Sequence, residues 1–282
     1  LAAIVVLKKG GQDTRDPKEP RLAELTSPGG RVRLFVEQAL SEGARVALNA
    51  PQAHYLLHVM RARAGNRVSL FNGRDGEWLA GIAEATRRDC VLACERKTQE
   101  QTKDDDLWLV FAPIKKTPAD YLAQKATELG VSVLQPVITR HTIVHRVNGE
   151  RMRANAIEAA EQSGRLTVPE IRSPIDLRLL LNAWPKQRNL LFCDEGGAPP
   201  ILEALTNAPK AAWAILTGPE GGFDEEERKA IRALGSSVPA SLGGRILRAD
   251  TAALAALAIW QAQCGKRAPE LENSEPGVAA LP

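Results

Sequence analysis

The 282-residue chain has only four cysteines, Cys90, Cys94, Cys193 and Cys264. They lack the C-x-x-C pairing of zinc sites, and four is too few for a disulfide framework at this length. Reduced, packed thiols in a cytoplasmic protein are expected, with Cys90 and Cys94 sharing one probable strand with Val91, Leu92 and Ala93. No apolar run approaches the roughly 20 residues of a membrane span. The opening Leu1 to Leu7 is short and has no basic stretch before it, which argues against a signal peptide. Charge of one sign is also scarce, with 37 Lys and Arg against 34 Asp and Glu for a net +3. Any nucleic-acid contact must therefore come from local clustering. Metal chemistry is poorly served: His54 and His58 stand four apart with no acidic third ligand nearby, so helix packing or RNA contact is the preferred reading.

What is present is an ordinary globular composition, 44% hydrophobic and 25% charged, enough for one large or two modest domains. Residues 1–30 are polar and aperiodic and read as a flexible extension, as does the tail 269–282. From Arg33 the chain runs in short strands, Leu34–Val36, Arg45–Leu48, Arg67–Phe71, Glu77–Ala83 and Asp89–Glu95. Asn72-Gly73 and Asp75-Gly76 mark a hairpin, and Pro51–Arg61 reads as a helical insertion. A small β-barrel over residues 31–103 follows. Thr98–Asp106 reads as a linker, after which strands and helices alternate over residues 104–268. The helix start is marked by Thr117-Pro118-Ala119-Asp120, with further strands at Leu107–Pro113, Val131–Ile138 and Asn189–Cys193 and helices at Glu150–Ser163 and Ile201–Thr206.

Two glycine loops follow on consecutive strand-to-helix turns. Leu216-Thr217-Gly218-Pro219-Glu220-Gly221-Gly222-Phe223 is the first; Leu242-Gly243-Gly244-Arg245-Ile246-Leu247-Arg248 precedes a small-residue helix from about Asp250 to Gln263. Such loops converge at the C-terminal edge of a parallel sheet, where open α/β folds bind ligands. A phosphate cradle at a helix start is the rival reading, and Glu220 with Asp224-Glu225-Glu226-Glu227 repels a polyphosphate. Asp224 and Glu227 have the spacing of a capping box. Glu220 stays open between tying the loop and touching a ligand.

The loop pair, together with Gln124-Lys125-Ala126-Thr127-Glu128-Leu129-Gly130-Val131 and Ile157-Glu158-Ala159-Ala160-Glu161-Gln162-Ser163-Gly164-Arg165, resembles the RsmE family of the SPOUT superfamily of knotted methyltransferases over residues 33–267. The resemblance implies an α/β SPOUT-type parallel sheet with a C-terminal trefoil knot behind a PUA-like β-barrel RNA-binding domain. It also implies S-adenosyl-L-methionine (AdoMet) as cofactor, transfer of methyl to N3 of a uridine in 16S rRNA of the small ribosomal subunit, and a homodimer. Alternatives are action on tRNA or 23S rRNA, or a non-catalytic RNA-binding module of ribosome assembly. Leu216, Thr217, Gly218, Glu220, Gly222, Leu242, Gly243, Ile246, Leu247 and Thr251 are the expected cofactor contacts. Arg248 is the first choice for orienting uracil or phosphate and Arg165 the second, either of which could instead pair structurally; Glu161 is a possible general base or a solvent-facing helix glutamate. Arg33, Arg61, Arg63, Arg67 and Arg140 are the expected RNA contacts, with Arg31, Arg74, Lys115, Lys116, His141, His145 and Arg146 nearby in sequence. The chain departs from the family pattern at Ala249, at Asp250, and at Ala154-Asn155, where a tryptophan is often found.

Overall fold

In a computed structural model of the chain, residues 26–27, 30–113, 119–144, 146–194, 196–206, 208–209 and 211–266 are described. Most of the expected extension, the whole expected tail, the helix start at Thr117-Pro118, and Lys115, Lys116 and His145 lie outside them. Within the expected extension, β1 (Thr26–Ser27) pairs antiparallel with β2 (Gly30–Arg31).

The first sheet contains β3 (Arg33–Phe35), β4 (Arg45–Ala47), β5 (Arg67–Phe71), β6 (Glu77–Ala85) and β7 (Cys90–Gln99) in the order β3-β5-β6-β7-β4. Three register shifts along β6 and β7 mark bulges, the device by which long hairpins curl over a core. That core holds Val46, Leu56, Leu70, Leu92 and both Cys90 and Cys94, whose thiols burial pushes up. Helix α1 (Ala50–His54) starts in a capping box: Asn49 Oδ1 accepts from the Gln52 N–H at 2.9 Å, and Gln52 Oε1 accepts from the Asn49 N–H. The expected insertion Pro51–Arg61 is not one regular helix. A π-helical turn, Tyr55–Val59, follows α1, and Arg61 ends it in the left-handed region at φ 53°.

The second sheet is parallel throughout. It takes β8 (Leu107–Phe111), β9 (Val133–Ile138), β10 (Glu170–Ile171), β12 (Arg188–Cys193), β13 (Ala212–Thr217) and β14 (Ser237–Ala240) in the order β10-β9-β8-β13-β12-β14, with β11 (Ile175–Asp176) also on β9. Its strands β8, β9 and β13 are buried along nearly their whole length, as in sheets covered on both faces. The period of two sorts their side chains. Leu107, Leu109, Phe111, Trp213 and Ile215 pack in the same cluster as residues of α2 (Ala119–Glu128), α3 (Gly149–Ser163), α5 (Ile201–Leu205) and α7 (Ala249–Cys264). Trp108, Val110, Ala214 and Leu216 pack on the opposite side with α4 (Leu177–Asn182) and α6 (Glu225–Ala233). The short β10, β11 and α4 had no distinct signal in the sequence.

The expected linker is an anchor. β7 extends to Gln99, and the acidic run that follows holds three different partners: Asp104 accepts from Arg165, Asp105 from the Lys266 N–H and Asp106 from Arg188. A second joint is Arg33, which the sequence assigned to RNA. Its side chain is only 10% exposed; Nε donates to Glu77 at 2.6 Å, Nη1 to the Ala160 and Glu161 carbonyls and Nη2 to the Arg165 carbonyl. Those carbonyls lie at the C-terminal end of α3, where an unpaired acceptor row favours a cation. Arg33 thus caps α3 and fastens the small sheet to the large one, stacking also on the Phe71 ring at 4.4 Å.

Candidate active site

Strand order decides where the site lies. β13 and β14 both neighbour β12, so their two glycine loops leave the same sheet edge with the end of β12 between them. The loops and the β12 end line a cavity of about 270 Å³, close to the lower end of small-molecule pockets. Thr217, Gly218, Glu220, Gly222, Leu242, Gly243, Ile246 and Leu247 line it as the sequence placed them, joined by Phe192, Cys193, Asp194, Arg228, Arg245, Ala249 and Ala252.

The glycines have separable reasons. A Cβ on Gly218 would stand 2.8 Å from the Phe223 ring, which packs edge-on against Phe192 at 5.4 Å to floor the pocket. Gly222 turns the chain at φ 68° and Gly243 at φ 114°, conformations side chains disfavour. Behind the first loop, Asp224 Oδ1 accepts from the Glu227 N–H at 2.7 Å and Glu227 Oε2 from the Asp224 N–H, completing the expected capping box. Glu227 Oε1 also accepts from the Arg140 N–H at 2.7 Å, and His141 Nδ1 lies 3.0 Å from the Gly221 carbonyl and 3.1 Å from that of Gly222. With carbonyls as partners, Nδ1 carries the proton. The turn after β9 therefore braces the loop. Arg140, expected at RNA, is an exposed side chain whose backbone serves this brace.

Asp194 is the feature that sequence reasoning missed. Its carboxylate is wholly buried and accepts from Arg228 at 2.6 Å, from Arg232 Nε at 2.9 Å and from the Gly196 N–H at 2.9 Å. One buried charge thus ties the β12 end to two turns of α6. The signal was available: Arg228 and Arg232 are spaced i, i+4 on a helix, and Asp194 closes a strand before Gly196-Gly197, a third loop of the same grammar. Next to it Cys193 lines the cavity, and burial pushes its thiol up to about 12, so it is not a thiolate nucleophile.

Several expected site residues are elsewhere. Leu216 is fully buried in the core behind the loop, because β13 is covered on both faces. Thr251 is exposed on the first turn of α7 and does not line the cavity. Arg165 is 8% exposed; it donates to Asp104 at 2.8 Å and to the Thr127 carbonyl at the end of α2 at 2.8 Å, which makes it a helix cap and linker clamp. Burial lowers its pKa against the raising pull of Asp104. Glu161 faces the junction of the two domains, where Oε1 accepts from the Phe35 N–H at 2.9 Å. Burial pushes its carboxyl up to about 7, opposed by that N–H and by Arg33.

Arg248 is the N-cap residue of α7 with an exposed side chain that makes no cap bond; with Arg245 it stands on the exposed second loop, where Ile246 is 88% exposed. Arg61 and Arg63 are exposed in the small domain, whereas Arg67 is paired to Glu95 at 2.7 Å. The rings of His54 and His58 are 4.9 Å apart, and His58 Nε2 contacts the Arg87 carbonyl at 3.1 Å. Among the described residues no group of three or more His, Cys, Asp or Glu could hold a metal ion. No helix among them is long and apolar enough to cross a membrane.

Known proteins share this arrangement. An RNA methyltransferase domain matches residues 100–261 and an RNA methyltransferase PUA domain matches residues 48–93. The ribosomal RNA small subunit methyltransferase E of Rickettsia conorii is 32% identical over 230 residues, 80% of this chain and 93% of that protein. Its namesake from Synechocystis sp. is 31% identical over 231 residues, 80% of this chain and 76% of the other. Among solved structures, the ribosomal RNA small subunit methyltransferase E from Neisseria gonorrhoeae bound to S-adenosyl methionine has a TM-score of 0.76 at 29% identity, covering 83% of this chain and 98% of that one. A putative methyltransferase from Legionella pneumophila in complex with the same cofactor has a TM-score of 0.74 at 27% identity, covering 84% and 99%. An RNA methyltransferase domain carrying the glycine-loop site behind a PUA domain, in a chain so closely similar over most of its length, places this protein in the family of the ribosomal RNA small subunit methyltransferases E.

Proposed function

We propose that the protein is an AdoMet-dependent methyltransferase that methylates N3 of a uridine in 16S rRNA. The observation that carries the reading is the convergence of two glycine loops and the end of β12 at one sheet edge, around a cavity with a Phe223 floor and apolar Leu242, Ile246 and Leu247. That lining suits an adenine and a sulfonium better than a polyphosphate, since backbone groups and apolar surface outnumber cations there. When bound, AdoMet supplies a methyl group activated by positive sulfur.

The chain's own residues do the remainder. Gly218 and Gly243 admit the ligand to main-chain groups, and the Glu227 and His141 braces hold the first loop in place without the ligand. Asp194 fixes the wall; with Arg228, Arg232 and Gly196 on its oxygens it is no proton acceptor. Methylation at N3 requires loss of a weakly acidic imide proton, and Arg248, aided by Arg245, stabilises the negative charge that develops on the base. Exposed Arg61, Arg63 and Arg140 hold phosphates. Two copies of the chain assemble as a homodimer that covers Ile246, the trefoil knot belongs to the same reading, and the enzyme works in the cytoplasm, where its four free thiols stay reduced.

The test is methyl transfer from labelled AdoMet to small ribosomal subunits that lack the modification, with nucleosides identified by mass spectrometry. 3-Methyluridine in 16S rRNA is the expected product. A methylated nucleoside confined to tRNA or 23S rRNA would overturn the substrate assignment, and failure to bind AdoMet would overturn the enzyme.

A further inference from the structure

We infer that the cavity between the two domains accepts one unpaired nucleobase of the RNA, at a distance from the methylated position. The inference rests on the RNA substrate class proposed above. The cavity measures about 770 Å³ and takes its lining from both sides: Phe35, Leu48, Asn49 and Pro51 from the small domain, Ile157 and Glu161 from α3. The α3 contribution repeats every four residues, Arg153, Ile157, Glu161, so one stripe of the helix faces it.

A nucleobase has two apolar faces and a polar edge, and proteins read unpaired bases by stacking and by hydrogen bonds to that edge. Phe35, Leu48, Pro51 and Ile157 are suited to the faces. Two polar groups retain capacity for the edge. Asn49 uses Oδ1 on the helix cap, and its Nδ2 amide has no partner among the described residues. Glu161 uses Oε1 on the Phe35 N–H, and its Oε2 likewise has none. Because burial pushes the carboxyl up to about 7, near neutrality Glu161 is available both as a donor and as an acceptor. At the rim, Arg153 lies over the Phe35 ring at 5.7 Å and holds the exposed Glu37, a contact that a phosphate can displace. No residue of this cavity lines the pocket at the sheet edge, so a base held here leaves the cofactor pocket free.

The experiment uses the full-length protein, a short fluorescent single-stranded oligouridylate, and the same oligonucleotide carrying 4-thiouridine for photo-crosslinking. Crosslinks are expected in the peptides around Phe35–Gln52 and Arg153–Glu161. Ala154→Glu, on the exposed face of α3 that lines the cavity, sets a carboxylate against the bound nucleotide and is expected to weaken the oligonucleotide roughly tenfold, with AdoMet affinity unchanged. Asn49→Ser keeps a cap oxygen and removes the amide, so it is expected to weaken binding about fivefold at an unchanged melting temperature. Should Ala154→Glu melt early, Asn49→Ser decides. Wild-type protein that does not bind the oligonucleotide, crosslinks confined to the Arg61–Arg63 region, or wild-type affinity in both variants would overturn the inference. Methyl transfer to small subunits separates the two claims: normal KM in both variants sinks the cavity and leaves the enzyme standing, whereas cavity crosslinks without any methyl transfer do the reverse.

Discussion

Arginines at the N-terminal edge of the parallel sheet and those on its second glycine loop treat their charges in opposite ways. At the N-terminal edge Arg188 donates two bonds to the Asp106 carboxylate, donates to the Trp213 carbonyl and stacks on Trp108 at 3.7 Å, while Arg165 is closed onto Asp104 nearby in sequence. At the C-terminal edge Arg245 and Arg248 are exposed and have no hydrogen bond or ion pair among the described residues, and an 88% exposed Ile246 stands between them. An arginine whose partners come from its own chain holds the fold, and one without them is available to a ligand. In sequence the two kinds look alike, which is why Arg33 and Arg165 were assigned to RNA and catalysis.

The comparison predicts a large effect first where a buried charge serves both fold and site. Asp194→Ala leaves Arg228 and Arg232 facing an empty wall; it is expected to cost about 3 kcal/mol in denaturant unfolding and to abolish AdoMet binding by calorimetry. Full stability with normal cofactor affinity would show that the clamp is incidental. Arg33→Ala, at the domain joint, is expected to cost a similar amount, about 3 kcal/mol, while leaving AdoMet affinity close to normal.

Arg248→Ala is the converse case. Stability is expected to change by less than about 0.5 kcal/mol, as for a surface position, with turnover down roughly a hundredfold and AdoMet affinity nearly intact. A variant that loses stability and keeps its rate would erase the distinction between the two edges.

Legibility followed the same line. The alternation of strands and helices, both glycine loops and the Asp224–Glu227 cap could be read because each is local: a run of residues carries its own backbone preference. The strand order that seats β12 between β13 and β14 is a long-range fact, so the contribution of Asp194 was missed although its residues were in view. The acidic run Asp104-Asp105-Asp106 reads as a solvated linker until Arg165, Arg188 and the Lys266 N–H arrive from 61 to 161 residues away. Exposure of an arginine is likewise a property of its neighbours in space.

The loops themselves permit a finer test. Gly218→Ala places a methyl against the Phe223 ring at 2.8 Å and is expected to cost about 1–3 kcal/mol and to weaken AdoMet roughly tenfold. Gly222→Val is strained by its backbone at φ 68°, so its cofactor loss comes with about 1–2 kcal/mol of instability. Equal cofactor affinity in both variants and wild type would remove the first loop from the site.

A further effect lies at the domain joint, in its pH dependence. The Glu161 carboxyl is raised from 4.5 to about 7 by burial, with Glu158 pushing the same way and the Phe35 N–H and Arg33 opposing. A raised carboxyl binds its proton more tightly in the folded chain than in the unfolded one. Between about pH 4.5 and 7 the folded state keeps a proton that the unfolded state releases, so this group's contribution to stability falls as pH rises through that window and levels off above it. Glu161→Gln keeps an oxygen for the Phe35 N–H and no longer titrates. Unfolding curves for the variant and the parent are therefore expected to converge near pH 4.5 and to separate toward pH 7, with the variant more stable. Parallel curves across the window would show that the carboxyl at this joint titrates like an exposed one, and that the joint tolerates the charge as well as the sheet's exposed edge does.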